Sequence, residues 1–355
     1  MEELLSQFGG ILLPNQMGGV QRGFSEVVDA IVRWDKDRSP ESSPSITLHW
    51  IRNWDANAIA FEHDNAAQIA VFGGTATLLA AIVLAVGRSQ DYLPHLQGGE
   101  PTRSSFAAAR ACFARRLPEH ARDPIPDAEE IFRPPSDTRA YVVSDLIWAG
   151  ASILVLHEIA HHRRGHVRLD ARESGAWGIY EAQGNLDQVA PTAPSDLRRR
   201  RAMEVDADAA ALADALALLQ SIATSSSDCA EVTAQCVHDV ALMHGVVCSI
   251  FDYEQLGLVG FRERSHPHPS VRFLYGIREI VRWADASPLS AEQVETAVLT
   301  AIKDVQWISQ QFDWTLLASS EDRRIEIDEE CRHLRGDVRD MLGASPLADD
   351  PSASA

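Results

Sequence analysis

Two histidines four residues apart, His157 and His161, frame a glutamate in the run HEIAH. On a helix such residues lie on one face, one above the other, so both imidazoles can hold a single metal ion. Glu158 stands beside that position and can take a proton from water that the ion activates. Because three fixed positions also arise by chance, the motif needs support from its surroundings.

The residues before HEIAH supply the first support. Residues 141–162 are almost wholly apolar, which predicts a helix buried on all sides. Burying two histidines and a glutamate in such a helix is costly unless they are paired or bind metal. Gly165 fits the C′ position after the helix. His162 is predicted to point away from the metal-binding face, and His166 to have a surface or supporting role.

A second helix, predicted over 196–222 with Ser195 as its N-cap, offers a third protein ligand. Glu204 and Asp208 are followed at the same four-residue spacing by leucines, so this stripe faces inward, where carboxylates need a cation or a donor. Glu204 is therefore predicted to complete the ligand set. Asp208 is predicted to accept the free ring N–H of a ligand histidine, whereas Asp206 lies on another face and is a weaker candidate.

HEIAH followed by EVDAD resembles the HExxH…ExxAD signature of the gluzincin metallopeptidases, above all the HtpX and CAAX prenyl protease branch. SHPHPSVRF, residues 265–273, is similar to the HP-x4-R segment of that branch. The resemblance implies that His266 stabilises the oxyanion and that Arg272 braces the site or binds substrate. His268 competes with His266 for this role, and a tyrosine such as Tyr180 is a further alternative.

NAIAF, residues 57–61, resembles the edge strand of gluzincins, and the QIAVFGGTATLL that follows resembles their hairpin. Such an edge strand pairs with an extended substrate backbone, which implies substrate-binding roles for Asn57 and Ala58. The resemblance covers roughly residues 50–285. It departs in its long segments 89–138 and 167–195 and in the absence of the branch's membrane helices. A looser likeness is to the Lit-type phage-exclusion peptidase, a cytoplasmic enzyme.

The order of elements indicates an α+β fold, because the β-type segments come early and the helices late. The resemblance makes it zincin-like, with the edge strand of a small sheet over a buried active-site helix and a mostly helical C-terminal half. The predicted division is an N-terminal segment 1–45, a metallopeptidase domain 46–285, a helical extension 286–342 and a disordered tail 343–355. Further helices are predicted over 76–87, 104–116, 229–256, 269–284, 290–318 and 320–342.

Charge and cysteine content narrow the classes of partner. The net charge of -19 over 355 residues opposes binding to nucleic acid or an anionic membrane. The basic run 198–201 is interpreted as a solvated helix face. The five cysteines include no CxxC pair, which favours free thiols and a cytoplasmic location. Residues 66–87 carry no charge, which leaves a membrane span open, but their Gly-Gly pair favours a strand, a turn and a buried helix.

The sequence therefore predicts a Zn²⁺-dependent endopeptidase that cleaves an intracellular protein or peptide, with Glu158 as general base. Cobalt or manganese would suit the same ligands. The long segments leave open a latent enzyme, used in defence or regulation, that a protein partner activates. The alternative is a non-catalytic regulatory or binding protein with a structural zinc, which would need four protein ligands.

Overall fold

A small β-sheet from the first part of the chain is followed by a predominantly helical body, which confirms the α+β prediction. The computed structural model describes residues 5–6, 8–38, 40, 45–53, 56–114, 132–174, 178–180, 194–223, 229–251, 266–312, 314 and 321–343. The predicted tail after residue 343 and residues 115–131 of the long segment 89–138 lie outside these residues.

The sheet has four strands in the order β1-β3-β2-β4. Its strands are β1 (Ile46–Ile51), β2 (Ala58–His63), β3 (Ala66–Phe72) and β4 (Gly178–Tyr180). β1 and β3 are parallel, whereas β2 is antiparallel to both β3 and β4. The β2–β3 hairpin turns at Asp64 and Asn65, with φ of 52° and 62°. Asp and Asn tolerate this left-handed conformation, which two-residue hairpin loops require.

The prediction that NAIAF forms an edge strand is wrong over residues 59–61, because these pair with β4 on the side away from β3. The edges of the described sheet are β1 and β4. β4 comes from the segment 167–195, which the sequence predicts as a loop. A strand of three residues is too short to show the alternation by which strands are recognised.

Helix α1 (Gly19–Arg38) precedes the sheet, and α2 (Gly73–Arg88) begins directly where β3 ends. The predicted Gly-Gly turn is therefore wrong, since both glycines already belong to the helix. Residues 66–87 divide between a strand and a buried helix and do not form one continuous span. The helix that contains HEIAH, by contrast, is one long apolar helix. Within the described residues, only Asp137–Arg163 is long and apolar enough to cross a membrane, and 72% of its most apolar window is buried inside the protein.

The remaining helices, apart from His166–Ser174, agree closely with the sequence predictions. They are α3 (Thr102–Ala114), α4 (Asp137–Arg163), α5 (His166–Ser174), α6 (Pro194–Ala223), α7 (Cys229–Ile250), α8 (Pro269–Ala284), α9 (Ala291–Phe312) and α10 (Glu321–Gly343).

The end of α4, the start of α6 and the extent of α5 test the predicted helix boundaries. The chain leaves α4 through Gly165, whose φ is +73° and whose N–H bonds the His162 carbonyl at 3.0 Å, so the predicted C′ role is confirmed. Ser195 is not an N-cap, because α6 already begins at Pro194, whose fixed φ suits a first helical turn. α5 replaces the first part of the loop predicted after residue 166.

Helix α4 occupies the centre of the main core, where it packs against α1, α2, α6 and α7. α9 packs on α7 in the same core, whereas α10 packs on α6 and α8 through a separate cluster. That cluster consists of Ala202, Val205, Val271, Tyr275, Ile327, Cys331, Leu334 and Val338. The predicted helical extension thus packs directly on helices of the predicted metallopeptidase domain, and the boundary at residue 285 stays a prediction.

The basic run at 198–201 is not simply the solvated face that the sequence predicts. Arg200 donates to both carboxylate oxygens of Asp170 on α5, at 2.8 and 3.0 Å. Arg198 pairs with Asp337 of α10, and the buried Arg201 lies 3.9 Å from Glu330 of the same helix. These contacts join the first turns of α6 to the two helices that flank it.

Candidate metal centre

Two packed helices bring the predicted ligands together. α4 carries His157 and His161, and α6 carries Glu204. The two histidine Nε2 atoms lie 2.9 Å apart, and the Glu204 carboxylate lies 3.4 Å from His157 Nε2 and 3.5 Å from His161 Nε2. All three side chains are buried. Among the described residues, this is the one group of such donors close enough to share an ion.

The two distances from Glu204 to the histidines fit a metal ion, whereas the 2.9 Å between the two Nε2 atoms is shorter than a tetrahedral site requires. Tetrahedral zinc with bonds of about 2.0–2.1 Å places its ligand atoms roughly 3.3–3.4 Å apart. Glu204 Oε2 is buried and accepts no hydrogen bond from any described residue. Among the described residues, every ion-pair neighbour of Glu204 is a histidine. Burial, together with His157 and His166, holds the pKa of His161 well below its usual range, which favours the neutral form that ligates metals. The group could therefore hold a metal ion.

Asp208 lies against His157, and its role as acceptor of the ring N–H stays a prediction. His157 Nδ1 lies 2.9 Å from Asp208 Oδ1, and Arg272 donates to both oxygens of the same carboxylate at 2.8 Å. Burial acts to raise the pKa of Asp208, but Arg272 and His157 hold it well below its usual range. His244 in turn lies 3.1 Å from the Arg272 carbonyl oxygen. Of the two roles implied for Arg272, this geometry supports bracing.

His161 contacts a second pair of residues, His166 and Asp206. The sequence left a supporting role open for His166 but did not connect it with Asp206. His161 Nδ1 lies 3.1 Å from Nδ1 of His166, whose Nε2 lies 3.2 Å from Asp206 Oδ2. Burial acts to raise the pKa of Asp206, but His166 and Arg164 lower it, so the carboxylate is ionised. The missed signal is Gly165, which lets the chain turn back and return His166 to the ligand group.

Of the three other histidines near the site, one lies close to the ligand group and two bond the backbone of neighbouring elements. His266 Nε2 lies 3.5 Å from Glu204 Oε2, at the border of the ligand group. His268 caps α8 instead, since its Nδ1 accepts the Ser270 N–H at 3.1 Å, so the geometry favours His266 as the oxyanion candidate. His162 faces away from the ligands, as predicted, with its Nε2 2.9 Å from the Gln68 carbonyl oxygen.

For the other predicted site residues that it describes, the structure shows burial and, at Asn57, bonds of the backbone. Glu158 is buried on α4, next to the first ligand. Asn57 and Ala58 are buried at the start of β2, where the Asn57 N–H and C=O both bond Thr75 Oγ1, at 2.8 and 2.7 Å. These bonds tie β2 to α2, and substrate binding by Asn57 and Ala58 stays a prediction. The Tyr180 side chain is not among those described.

Comparisons with protein-family models, with curated proteins and with solved structures find no match to this chain. The gluzincin resemblance therefore rests on its motifs, and membership of that family stays a prediction. The class of site follows from geometry alone: a buried group of two histidines and one glutamate that could hold a metal ion.

Proposed function

We propose that the protein is a zinc-dependent endopeptidase of the gluzincin type, with a zincin-like fold around His157, His161 and Glu204. One observation carries this proposal: only three protein donors converge at the buried group among the described residues. Catalytic zinc sites use three protein ligands and keep one position for water or substrate, whereas structural sites use four. The ligand count thus favours an enzyme over the non-catalytic alternative.

The chain's own residues would divide the work of peptide hydrolysis among them. When bound, zinc would polarise the scissile carbonyl and lower the pKa of water toward neutrality. Glu158 would accept the proton from the attacking water and later pass it to the leaving amine. His266 would donate a hydrogen bond to the developing oxyanion. Arg272 would act through Asp208, by keeping it ionised against His157.

The proposal is tested with purified protein through zinc content, by elemental analysis, and cleavage of a denatured protein mixture. Wild type should hold about one zinc per chain. Glu158→Gln should keep the zinc and lose cleavage, because the amide cannot accept a proton. His161→Ala should lose both. Exposed positions on α9 and α10 supply controls, Glu292→Gln and His333→Ala, which should keep both properties.

Each result separates one part of the proposal from the others. Full cleavage by Glu158→Gln would refute the general-base role. Unchanged zinc content in His161→Ala would refute the ligand assignment. A wild-type protein that holds no zinc would refute the metal site itself.

A further inference from the structure

His166 and Asp206 form a buried pair behind His161 that neither the motif nor the ligand set explains. His166 is 2% exposed and Asp206 is 5% exposed. The two residues come from different helices, α5 and α6, and His166 touches His161 with one ring nitrogen and Asp206 with the other. Arg164 Nε lies 3.7 Å from the same Asp206 oxygen.

The His161–His166 contact is a hydrogen bond, whereas His166 Nε2 and Asp206 Oδ2 form an ion-pair contact. The ring orientations indicate where the hydrogens of these groups lie. His161 turns its Nε2 toward His157 and Glu204, so ligation through Nε2 leaves the hydrogen on Nδ1. Nδ1 of His166, 3.1 Å away, must then be the acceptor. A neutral His166 with a free Nδ1 carries its hydrogen on Nε2, which is the atom that faces the Asp206 carboxylate. The three groups are therefore consistent with a single arrangement of hydrogens.

We infer that His166 and Asp206 are positioning residues that hold the His161 ring, and its Nε2 lone pair, toward the metal. This inference rests on the metal site of the proposed function and adds a second support to it. His157 is held by a carboxylate directly, whereas His161 is held by an imidazole that a carboxylate orients. Hydrogen-bond partners behind a ligand histidine fix its tautomer and orientation, and their loss weakens metal binding.

Three substitutions of His166 separate a positioning role from a merely structural one. Asn places an amide oxygen close to the position of Nδ1, so it can still accept from His161. Gln places its amide nitrogen close to the position of Nε2, so it can still donate to Asp206 but offers His161 no acceptor. Leu does neither at similar size. A structural role would rank the variants by their link between α5 and α6, and a positioning role by their contact with His161.

The measurement is zinc affinity of each folded variant, by competition with a chromophoric chelator, with the visible spectrum of the Co²⁺ form as a second readout. We expect His166→Leu and His166→Gln to bind zinc about 10–100-fold more weakly than wild type, and His166→Asn to recover most of that loss. His162→Leu is the matched control, since His162 bonds the sheet and not the ligands. Its affinity should stay within about twofold of wild type.

The inference is overturned if His166→Asn binds zinc no better than His166→Gln, a comparison that holds even if His166→Leu does not fold. It is also overturned if all three variants match wild type while His161→Ala loses zinc. Failure of the proposed function looks different: wild type would then bind no zinc, or would bind it without cleaving any protein.

Discussion

At the scale of single residues, Asp208 and Arg272 place opposite charges in the protein interior. Breaking such a pair by removing one partner leaves a buried charge uncompensated, which typically costs about 3–5 kcal/mol. We expect Arg272→Met to lower the free energy of unfolding by that amount in metal-free protein, measured by urea denaturation. The double variant Arg272→Met with Asp208→Asn removes both charges and should recover part of the loss. Additive losses in the double variant would contradict the pairing.

The residues of the candidate site were predictable to different degrees. That His157 shares a face with His161, and Glu204 with Asp208, follows from helical spacing, whereas the meeting of the two pairs depends on how α4 packs on α6. The contact between His166 and Asp206 depends on the angle at which α5 leaves α4 after Gly165, and no spacing along the chain encodes it. The partner of Arg272, 64 residues away along the chain, is likewise set by how α8 packs on α6.

At the scale of elements, two glycines in helices should respond to alanine in opposite directions. A Cβ at Gly276 of α8 would lie 2.2 Å from His244 Nε2 and 2.8 Å from Leu212 Cδ1. Gly276→Ala should therefore destabilise the protein by about 1–3 kcal/mol in urea denaturation. Gly336 of α10 has no atom within 4 Å of that position, so Gly336→Ala should stabilise by about 0.5–1 kcal/mol. Equal effects at both sites would contradict the packing of α8 against α7.

The contact between α7 and α9 should make stability depend on pH. His238 lies between Asp239, at 2.9 Å, and Asp304 of α9, at 3.0 Å. Burial acts to lower the pKa of His238, but its hydrogen bonds to these two aspartates and their negative charges raise it to about 9. A histidine whose folded pKa exceeds its unfolded value of 6.5 contributes fully below pH 6.5, and its contribution is lost as pH rises toward 9.

We expect up to about 3 kcal/mol of stability to be lost across that window, measured by urea denaturation at stepwise pH. Neighbouring groups titrate elsewhere: burial and Asp239 raise the pKa of Asp145 to about 6, and burial and Asp304 raise that of Tyr92 well above 10. His238→Gln should flatten the profile, and the exposed His95→Gln should leave it unchanged. A wild-type slope in His238→Gln would rule out this cause.

Periodicity over a long stretch explains which elements were predictable. α8 spans the predicted residues 269–284, since Pro269 at its start and its apolar stripe define both ends. β4 escaped prediction because three residues show no period. The edge-strand prediction for residues 57–61 came from the gluzincin resemblance and did not allow for this partner strand. The start of α6 was misplaced by a residue or two, because serine after proline offers two plausible first positions.

At the scale of the whole molecule, composition and element order were enough for the α+β class, but not for the way the last helices pack. α10 covers the start of α6 and of α8, the two helices that carry Glu204 and Arg272, through an apolar cluster of its own. That arrangement depends on contacts between segments more than a hundred residues apart, such as Arg198 with Asp337. A pattern read along one segment cannot report them.

Our proposal is that this protein cuts other proteins with a metal site in which Glu158 moves the proton. It is tested most directly by comparing newly formed protein N-termini in cells that express wild type, Glu158→Gln or the exposed control Glu292→Gln at equal levels. We expect cleavage products that are shared by wild type and Glu292→Gln and are missing with Glu158→Gln. The same products with all three proteins, or none that distinguishes wild type from Glu158→Gln, would contradict it.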